Sequence, residues 1–159
     1  FKTAGYQALK WTNLEKVDNS GNLVLRDSYS FCNADLALIR LADVYLMRTE
    51  CFMHGVGDQT EALEGINYVR NRAGLGRWGL ADLTFDNLLD ERSRELYYEC
   101  TRRSDLIRNG RFTGPNQMVW PWKGYVSEGT TIGDQFNLLP IPANIIAAQP
   151  ELKQNKGFN

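Results

Sequence analysis

The chain has 159 residues, of which 43% are hydrophobic and 23% charged, values typical of one globular domain. Its formal net charge of −1 gives no field that would attract nucleic acid or an anionic membrane. No apolar run approaches the roughly 18 residues of a membrane-spanning helix, so the sequence predicts none.

Residues 1–34 are predicted to be a loop and short-strand segment that leads into a helical domain at 35–159. Asn19-Ser20-Gly21-Asn22 is a typical turn cluster. The weak alternation over residues 23–28 predicts one strand after it.

A helical hairpin is predicted next. The pattern becomes helical at Asp35, which can cap a helix start, and the narrow polar stripe predicts a mostly buried helix that stops at Gly55. Asp58 opens a second helix, and Glu61 stands three residues later in a capping-box arrangement. The short glycine turn between the two helices predicts that they are antiparallel.

A third, long helix is predicted from Thr84 to Ile107, ended by Asn109-Gly110. Cys51 and Cys100 fall within helical patterns, where a free thiol usually acts as a small buried hydrophobe. Residues 111–137 look irregular, and Pro142 suits the first turn of a short helix through Ala148. The predicted fold is therefore mainly α, with long irregular loops and little β.

A charged run in the predicted third helix could indicate either structure or chemistry. Steps of 3, 4 and 3 place four of its members on one helix face. Glycosidase acids must flank a sugar bond from opposite sides, whereas Glu95 and Glu99 would stand one turn apart on one helix, each with an arginine nearby. We therefore predict a structural ion-pair network and no catalytic residue. The network comprises Arg92, Glu95, Glu99, Arg102, Arg103 and Asp105.

Aromatic residues in two loops are the candidate ligand contacts. Three aromatics lie within Trp120-Pro121-Trp122-Lys123-Gly124-Tyr125, where proline and glycine prevent regular structure, and Trp78 lies in an earlier loop. Exposed rings can stack on sugar rings, and rings in long loops can equally cap the core. If a sugar touches this chain, the predicted contacts are Trp78, Trp120, Trp122 and Tyr125.

Other signatures of enzyme chemistry are missing from the sequence. It has no nucleophile elbow and no phosphate-binding loop. The spacing of the three cysteines matches no zinc motif, and one histidine cannot build a histidine-based metal site. We expect no metal and no cofactor.

Four stretches, in this order and spacing, resemble the C-terminal half of SusD/RagB proteins from Bacteroidetes. They are residues 39–50 (IRLADVYLMRTE), 61–75 (EALEGINYVRNRAGL), 91–108 (ERSRELYYECTRRSDLIR), and LPIP at 139–142 followed by Leu152, Gln154-Asn155 and Gly157-Phe158. The resemblance covers residues 35 to the end. One departure is Cys100, which stands where the family usually has glycine.

The resemblance implies a fold of tetratricopeptide-like helix pairs and a chain that is the C-terminal fragment of a longer protein. It further implies a lipoprotein on the cell-surface face of the outer membrane, held by a lipid anchor that is absent from this chain. The implied activity is to bind a glycan, without breaking it, and deliver it to a SusC-like TonB-dependent transporter. Some family members resemble peptide importers, so a peptide- or protein-binding scaffold is the alternative. No glycan-binding residue carries over by motif.

Overall fold

The computed structural model describes residue 10 and residues 14–25 and 37–158. In the first part, strands β1 (Leu14–Val17) and β2 (Leu23–Leu25) form an antiparallel pair. The turn between them is held by Asp18, whose carboxylate accepts 2.8 Å hydrogen bonds from the backbone N–H groups of Ser20 and Asn22. The sequence predicted the turn and β2 and missed β1. Residues 26–36, including the proposed cap Asp35, lie outside the described residues.

The rest of the described chain is mainly helical, as predicted. The α-helices are α1 (Leu41–Met53), α2 (Gln59–Arg72), α3 (Phe85–Glu95), α4 (Arg102–Arg108) and α5 (Ala143–Ala148). Three short 3-10 helices span Leu80–Asp82, Lys123–Tyr125 and Asp134–Asn137. In the described part of the chain, no helix combines the length and apolar character needed to cross a membrane.

Helix α1 differs from its prediction at the start. It begins at Leu41, after the extended Arg40, so residues 37–40 are not helical. It is also less buried than predicted, because Leu41, Val44 and Met47 are exposed. Helix α2 confirms its predicted cap, since the Asp58 carboxylate accepts a 3.0 Å hydrogen bond from the Glu61 backbone N–H.

Helices α1 and α2 form an antiparallel pair at close range. The Thr49 hydroxyl donates a 3.0 Å hydrogen bond to the carbonyl oxygen of Ala62 on the facing helix. Glycine at 65 permits this approach, because a Cβ there would lie 3.1 Å from Arg48 Nη2 and 3.3 Å from Tyr45 Cδ1. Helix α3 packs across the pair, and a core forms from Leu46, Ile66, Leu88 and Leu96, with Met53, Trp78 and Leu83 packed against it.

The predicted continuous third helix is wrong. Helix α3 ends at Glu95, and two non-glycine residues that follow, Tyr98 (φ 61°) and Cys100 (φ 60°), are left-handed. A right-handed helix cannot pass through such residues, so the chain turns before α4. Arg92 and Asp105 would lie about 20 Å apart on one continuous helix; the turn instead brings Arg92 Nε to 2.9 Å from Asp105 Oδ2. Cys51 and Cys100, predicted to be buried, are both exposed.

Candidate functional site

Three of the exposed aromatic side chains of the described chain lie close together in residues 119–126, here called the aromatic loop. Trp122 (φ 66°), Gly124 (φ 68°) and Tyr125 (φ 64°) all adopt the left-handed conformation, which prevents an α-helix or a β-strand. The side chains of Trp122 and Tyr125 are 70% and 98% exposed. Both rings therefore remain outside the core.

A buried lysine holds the aromatic loop from beneath. The ammonium of Lys123 donates hydrogen bonds to the Met118 carbonyl oxygen (2.8 Å) and to Gln117 Oε1 (3.3 Å). It also lies 5.0 Å from the centroid of the Trp120 ring, within reach of a cation–π contact. Burial lowers the pKa of Lys123, because a low-dielectric surrounding disfavours the charged form. With the lysine turned inward, the rings on either side of it face outward.

Gln117 ties the loop to the segment of chain that follows it. Its Oε1 accepts a 2.8 Å hydrogen bond from the Ile132 backbone N–H, and its Nε2 donates to the Gly114 and Ile132 carbonyl oxygens. Gly129 lets the chain cross the loop closely, because a Cβ at that position would overlap the carbonyl oxygen of Trp120. The loop is thus a fixed platform, although its regular structure is limited to the short 3-10 helix Lys123–Tyr125.

Beside the loop lies a cavity of about 610 Å³, here called the aromatic cavity. Leu96, Tyr97 and Tyr98 line it from the connection between α3 and α4, and Met118 and Trp120 line it from the loop side. The rings of Tyr97 and Tyr98 meet edge to face, 4.6 Å between centroids, and their side chains are 54% and 63% exposed.

The sequence reasoning missed the two tyrosines because it placed them inside a continuous helix. Adjacent positions on an α-helix point about 100° apart, so two neighbouring large rings cannot both face one core. The glycine that the family usually has where Cys100 stands was a second signal, since glycine favours the left-handed turn found there. Both signals mark the break that exposes the rings.

The structure places Trp78 apart from the other three predicted contacts. Asn67 fixes its backbone, donating from Nδ2 to the Trp78 carbonyl oxygen (2.9 Å) and accepting from the Trp78 N–H (2.6 Å). The ring is half-buried against the helical core, and the Arg70 guanidinium lies 4.5 Å from its centroid. Trp120, Trp122 and Tyr125 share one loop, and Trp78 belongs to another.

A buried ion-pair network joins three helices behind the cavity. Arg92 of α3 lies 2.9 Å from Asp43 of α1 and 2.9 Å from Asp105 of α4. Asp105 also accepts from Arg108 (2.9 Å), and Arg108 makes two 2.8 Å bonds to the carboxylate of Glu50. Burial opposes ionisation of Glu50, but the hydrogen bonds from Arg108 outweigh it and lower the pKa of Glu50.

Glu95 and Glu99 belong to a second network centred on Arg40. The guanidinium of Arg40 reaches the carboxylate of Glu99 at 2.7 Å and that of Glu95 at 3.0 Å. Lys10 also pairs with Glu99, and Arg72 pairs with Glu95 at 2.5 Å. Burial raises the pKa of Glu99, but hydrogen bonds from Arg40 and Lys10 lower it overall, the opposite of what a general acid requires.

Arg102 and Arg103 make other contacts. Arg102 donates to the Leu89 carbonyl oxygen (2.7 Å) and approaches the Met118 sulfur (2.9 Å), while Arg103 donates to the Phe136 carbonyl oxygen (2.5 Å). Neither has an ion-pair partner within the described residues. The predicted six-residue network is therefore divided: four members lie in two separate networks, and two anchor backbone carbonyls. In the same part of the chain, no His, Cys, Asp and Glu cluster could hold a metal ion.

Comparisons with known proteins agree with the sequence resemblance. A sequence model described as the SusD family matches residues 1–158, including the first 34 residues, which carried no recognisable motif. The chain is 37% identical over 156 residues to the starch-binding protein SusD of Bacteroides thetaiotaomicron, covering 98% of this chain and 26% of that protein. It is 32% identical over 160 residues to SusD-like protein P25 of Formosa agariphila, covering 87% of this chain and 27% of that protein.

A solved structure supports the fold. A SusD superfamily protein from Parabacteroides distasonis superposes with a TM-score of 0.65 at 24% identity, over 83% of this chain and 29% of that one. The predicted architecture of tetratricopeptide-like helix pairs is confirmed. The chain spans roughly a quarter of the length of the curated relatives it matches.

Proposed function

Because the chain belongs to the SusD family, we propose that it is part of a non-catalytic, cell-surface glycan-binding protein. The full-length protein would be lipid-anchored on the outer face of the outer membrane. There it would pass glycan to a SusC-like TonB-dependent transporter. The observation that supports this most directly is the 37% identity to a protein named as starch-binding.

The aromatic loop supplies the chemistry for this contact. Sugar rings present apolar C–H faces, and an exposed indole or phenol ring offers a flat, electron-rich surface to meet them. Trp122 and Tyr125 are the most exposed rings of the loop, and Lys123 and Gln117 hold the backbone beneath them. A preformed platform loses little conformational freedom on binding, which favours affinity. In this proposal Trp120, Trp122 and Tyr125 contact the glycan and Trp78 supports the core.

Titration calorimetry of the purified protein against maltoheptaose, other neutral oligosaccharides and a set of peptides tests the proposal. Replacing both Trp122 and Tyr125 with alanine should weaken glycan binding about tenfold, since contacts of one aromatic ring contribute about 0.5–1.5 kcal/mol. Tyr68→Ala is the matched control, because Tyr68 is 59% exposed on α2, away from the loop.

Several results would count against the proposal. Binding of peptides and of no glycan would favour the peptide-binding alternative. Release of reducing ends in proportion to protein concentration would show a hydrolase and contradict the non-catalytic role.

A further inference from the structure

Resting on the proposed function, we propose that the aromatic cavity is a second saccharide subsite. It takes one or two neutral sugar rings between the tyrosines at 97 and 98 and Trp120, and the carboxylate of Asp90 receives their hydroxyl groups. Neither the family resemblance nor the aromatic loop assigns a ligand to this cavity.

Size and shape suit such a ligand. A volume of about 610 Å³ lies within the range of roughly 300–1,000 Å³ that is usual for small-molecule sites. Aromatic and apolar side chains from the α3–α4 connection and from the loop side make up most of the exposed lining. Polar groups come from Asp90 and Ser93 of α3 and from Arg102 and Arg103 of α4. A mostly apolar cavity with a few polar groups is the ordinary composition of a ligand site.

The tyrosine rings are exposed because of the backbone that carries them. The left-handed residues Tyr98 and Cys100 end α3 and redirect the chain, so the rings project beside the helix instead of into the core. The backbone around them is fixed by α3 on one side and by α4 on the other, and Asp105 of α4 is bonded back to Arg92 of α3. Rings on a fixed backbone keep a defined spacing for stacking.

Some polar groups of the cavity already have partners in the protein, and others are available to a ligand. Arg92 is paired with Asp105, and Arg102 and Arg103 donate to backbone carbonyl oxygens. Among the described residues, the Asp90 carboxylate and the Ser93 hydroxyl have no hydrogen-bond partner. An ionised carboxylate is purely an acceptor and can receive several hydroxyl protons, which suits a polyol. The charges of the lining nearly balance, because Arg92 pairs with Asp105, Asp90 lies close enough to Arg102 to interact with its charge, and the Arg103 guanidinium is held by Phe112 and the Phe136 carbonyl oxygen. A neutral saccharide therefore fits this cavity.

Trp120 connects the cavity to the aromatic loop, because it lines the first and belongs to the second. A single oligosaccharide can therefore occupy both sites. Loss of the cavity is then expected to weaken long oligosaccharides more than short ones.

The test measures binding of maltoheptaose, cellohexaose, xylohexaose and a galacturonate oligomer to four variants by calorimetry. Tyr97→Ala and Asp90→Asn should each bind the preferred neutral oligosaccharide about tenfold more weakly, with a smaller loss for its trisaccharide. Tyr68→Ala and Glu64→Gln, exposed positions on α2, are the matched controls and should bind like the unchanged protein. Asp90→Asn preserves shape, so it tests the site even if Tyr97→Ala fails to fold.

The outcomes separate the two proposals. If Tyr97→Ala and Asp90→Asn bind within twofold of the unchanged protein while the Trp122 and Tyr125 double variant loses affinity, the cavity is not a subsite and the aromatic loop remains. If the galacturonate oligomer binds more tightly than every neutral probe, the ligand class is wrong. If no oligosaccharide binds the unchanged protein, both proposals fail.

Discussion

The helical part of the molecule, residues 41–108, and the irregular part, residues 111–158, are stabilised in different ways. All eight buried hydrophobic side chains of the described residues lie between Leu46 and Leu106. Among the described residues beyond Arg108, Lys123 alone has a buried side chain. The helical part has an apolar core crossed by ion pairs, whereas the irregular part depends on side chains that hydrogen-bond to backbone.

In the irregular part, hydrogen bonds from amide side chains to the backbone stabilise the chain where an apolar core would otherwise do so. Gln154 accepts from the Ile141 N–H and donates to the Ile141 carbonyl oxygen, both at 2.8 Å, as a neighbouring strand would. Beneath the aromatic loop, Gln117 likewise accepts from the Ile132 N–H and donates to the Ile132 carbonyl oxygen. Such bonds are specific in direction and need no apolar side chains beneath them. The loop can keep Trp122 and Tyr125 at the surface because hydrogen bonds to its backbone, and not burial of these rings, stabilise its conformation.

The largest expected effect comes from breaking the ion pairs of the helical part. Asp105→Ala removes one of the two carboxylate partners of buried Arg92, which keeps Asp43, and one partner of Arg108. Removing one partner of a buried ion pair typically costs about 3–5 kcal/mol. Because Asp43 still pairs with Arg92, the free energy of unfolding should fall by about 3 kcal/mol, the lower end of that range, in urea titrations. Glu151→Ala, an exposed position of the irregular part, is the control. Equal stability of both variants would contradict the structural role of the network.

Breaking the irregular part should have a smaller and local effect. Gln117→Ala removes bonds to Ile132, Gly114 and Lys123 and leaves buried polar groups unsatisfied, at a cost of about 1–3 kcal/mol. Amide hydrogen exchange should accelerate across residues 117–132, with exchange in α1 and α2 unchanged. Acceleration throughout the molecule would show that the two parts unfold as one unit and that the comparison is wrong.

At the boundary between the two helices α3 and α4, one substitution should stabilise the protein. Cys100 has φ 60°, a conformation that costs non-glycine residues about 1–2 kcal/mol. Cys100→Gly should therefore raise the free energy of unfolding by about 1 kcal/mol. Cys51→Gly, also exposed but inside α1, should lower it by about 1 kcal/mol because glycine is a poor helix former. If both substitutions raise, or both lower, the melting temperature, the conformational explanation is wrong.

The smallest expected effect is on how stability depends on pH, and it comes from the carboxyls of Glu50 and Glu99. Their pKa values are lowered in the folded protein from the ordinary 4.5, so the unfolded state binds more protons as pH falls. Stability should be constant above about pH 6 and decline below 4.5. In urea titrations across pH, Glu50→Gln should show a weaker decline. A decline as steep as that of the unchanged protein would exclude Glu50 as a source.

The helices were predictable where one local signal decided their structure. Asp58 and Glu61 identified the start of α2, and Pro142 identified the start of α5. The break after Glu95 was not predictable from periodicity, because Leu96 and the charged residues on either side continue a helical pattern. Tertiary contacts decide that break: the pairing of Arg92 with Asp105 is possible only if the chain turns.

The candidate site was predictable in residue type and not in position. Proline and glycine around the tryptophans correctly indicated a loop, and the exposure of Trp122 and Tyr125 agrees with a surface role. Trp78 has the same local signal, but Asn67 and the core cluster, which are distant in sequence, hold it against the helices. The aromatic cavity combines residues of two regions, so only the assembled structure could reveal it.

Gly65 also acts as a spacer that sets the position of a distant loop. The missing side chain at 65 fixes how near the axis of α2 stands to Tyr45 and Arg48 of α1. Two residues further along α2, Asn67 holds Trp78 and with it the loop before α3. A bulkier residue at 65 would push α2 away from α1. The resulting tilt of α2 would move Trp78 through Asn67, although residue 65 does not contact Trp78. The position of Trp78 therefore limits which residues can replace glycine at 65, although the two are 13 positions apart in the sequence.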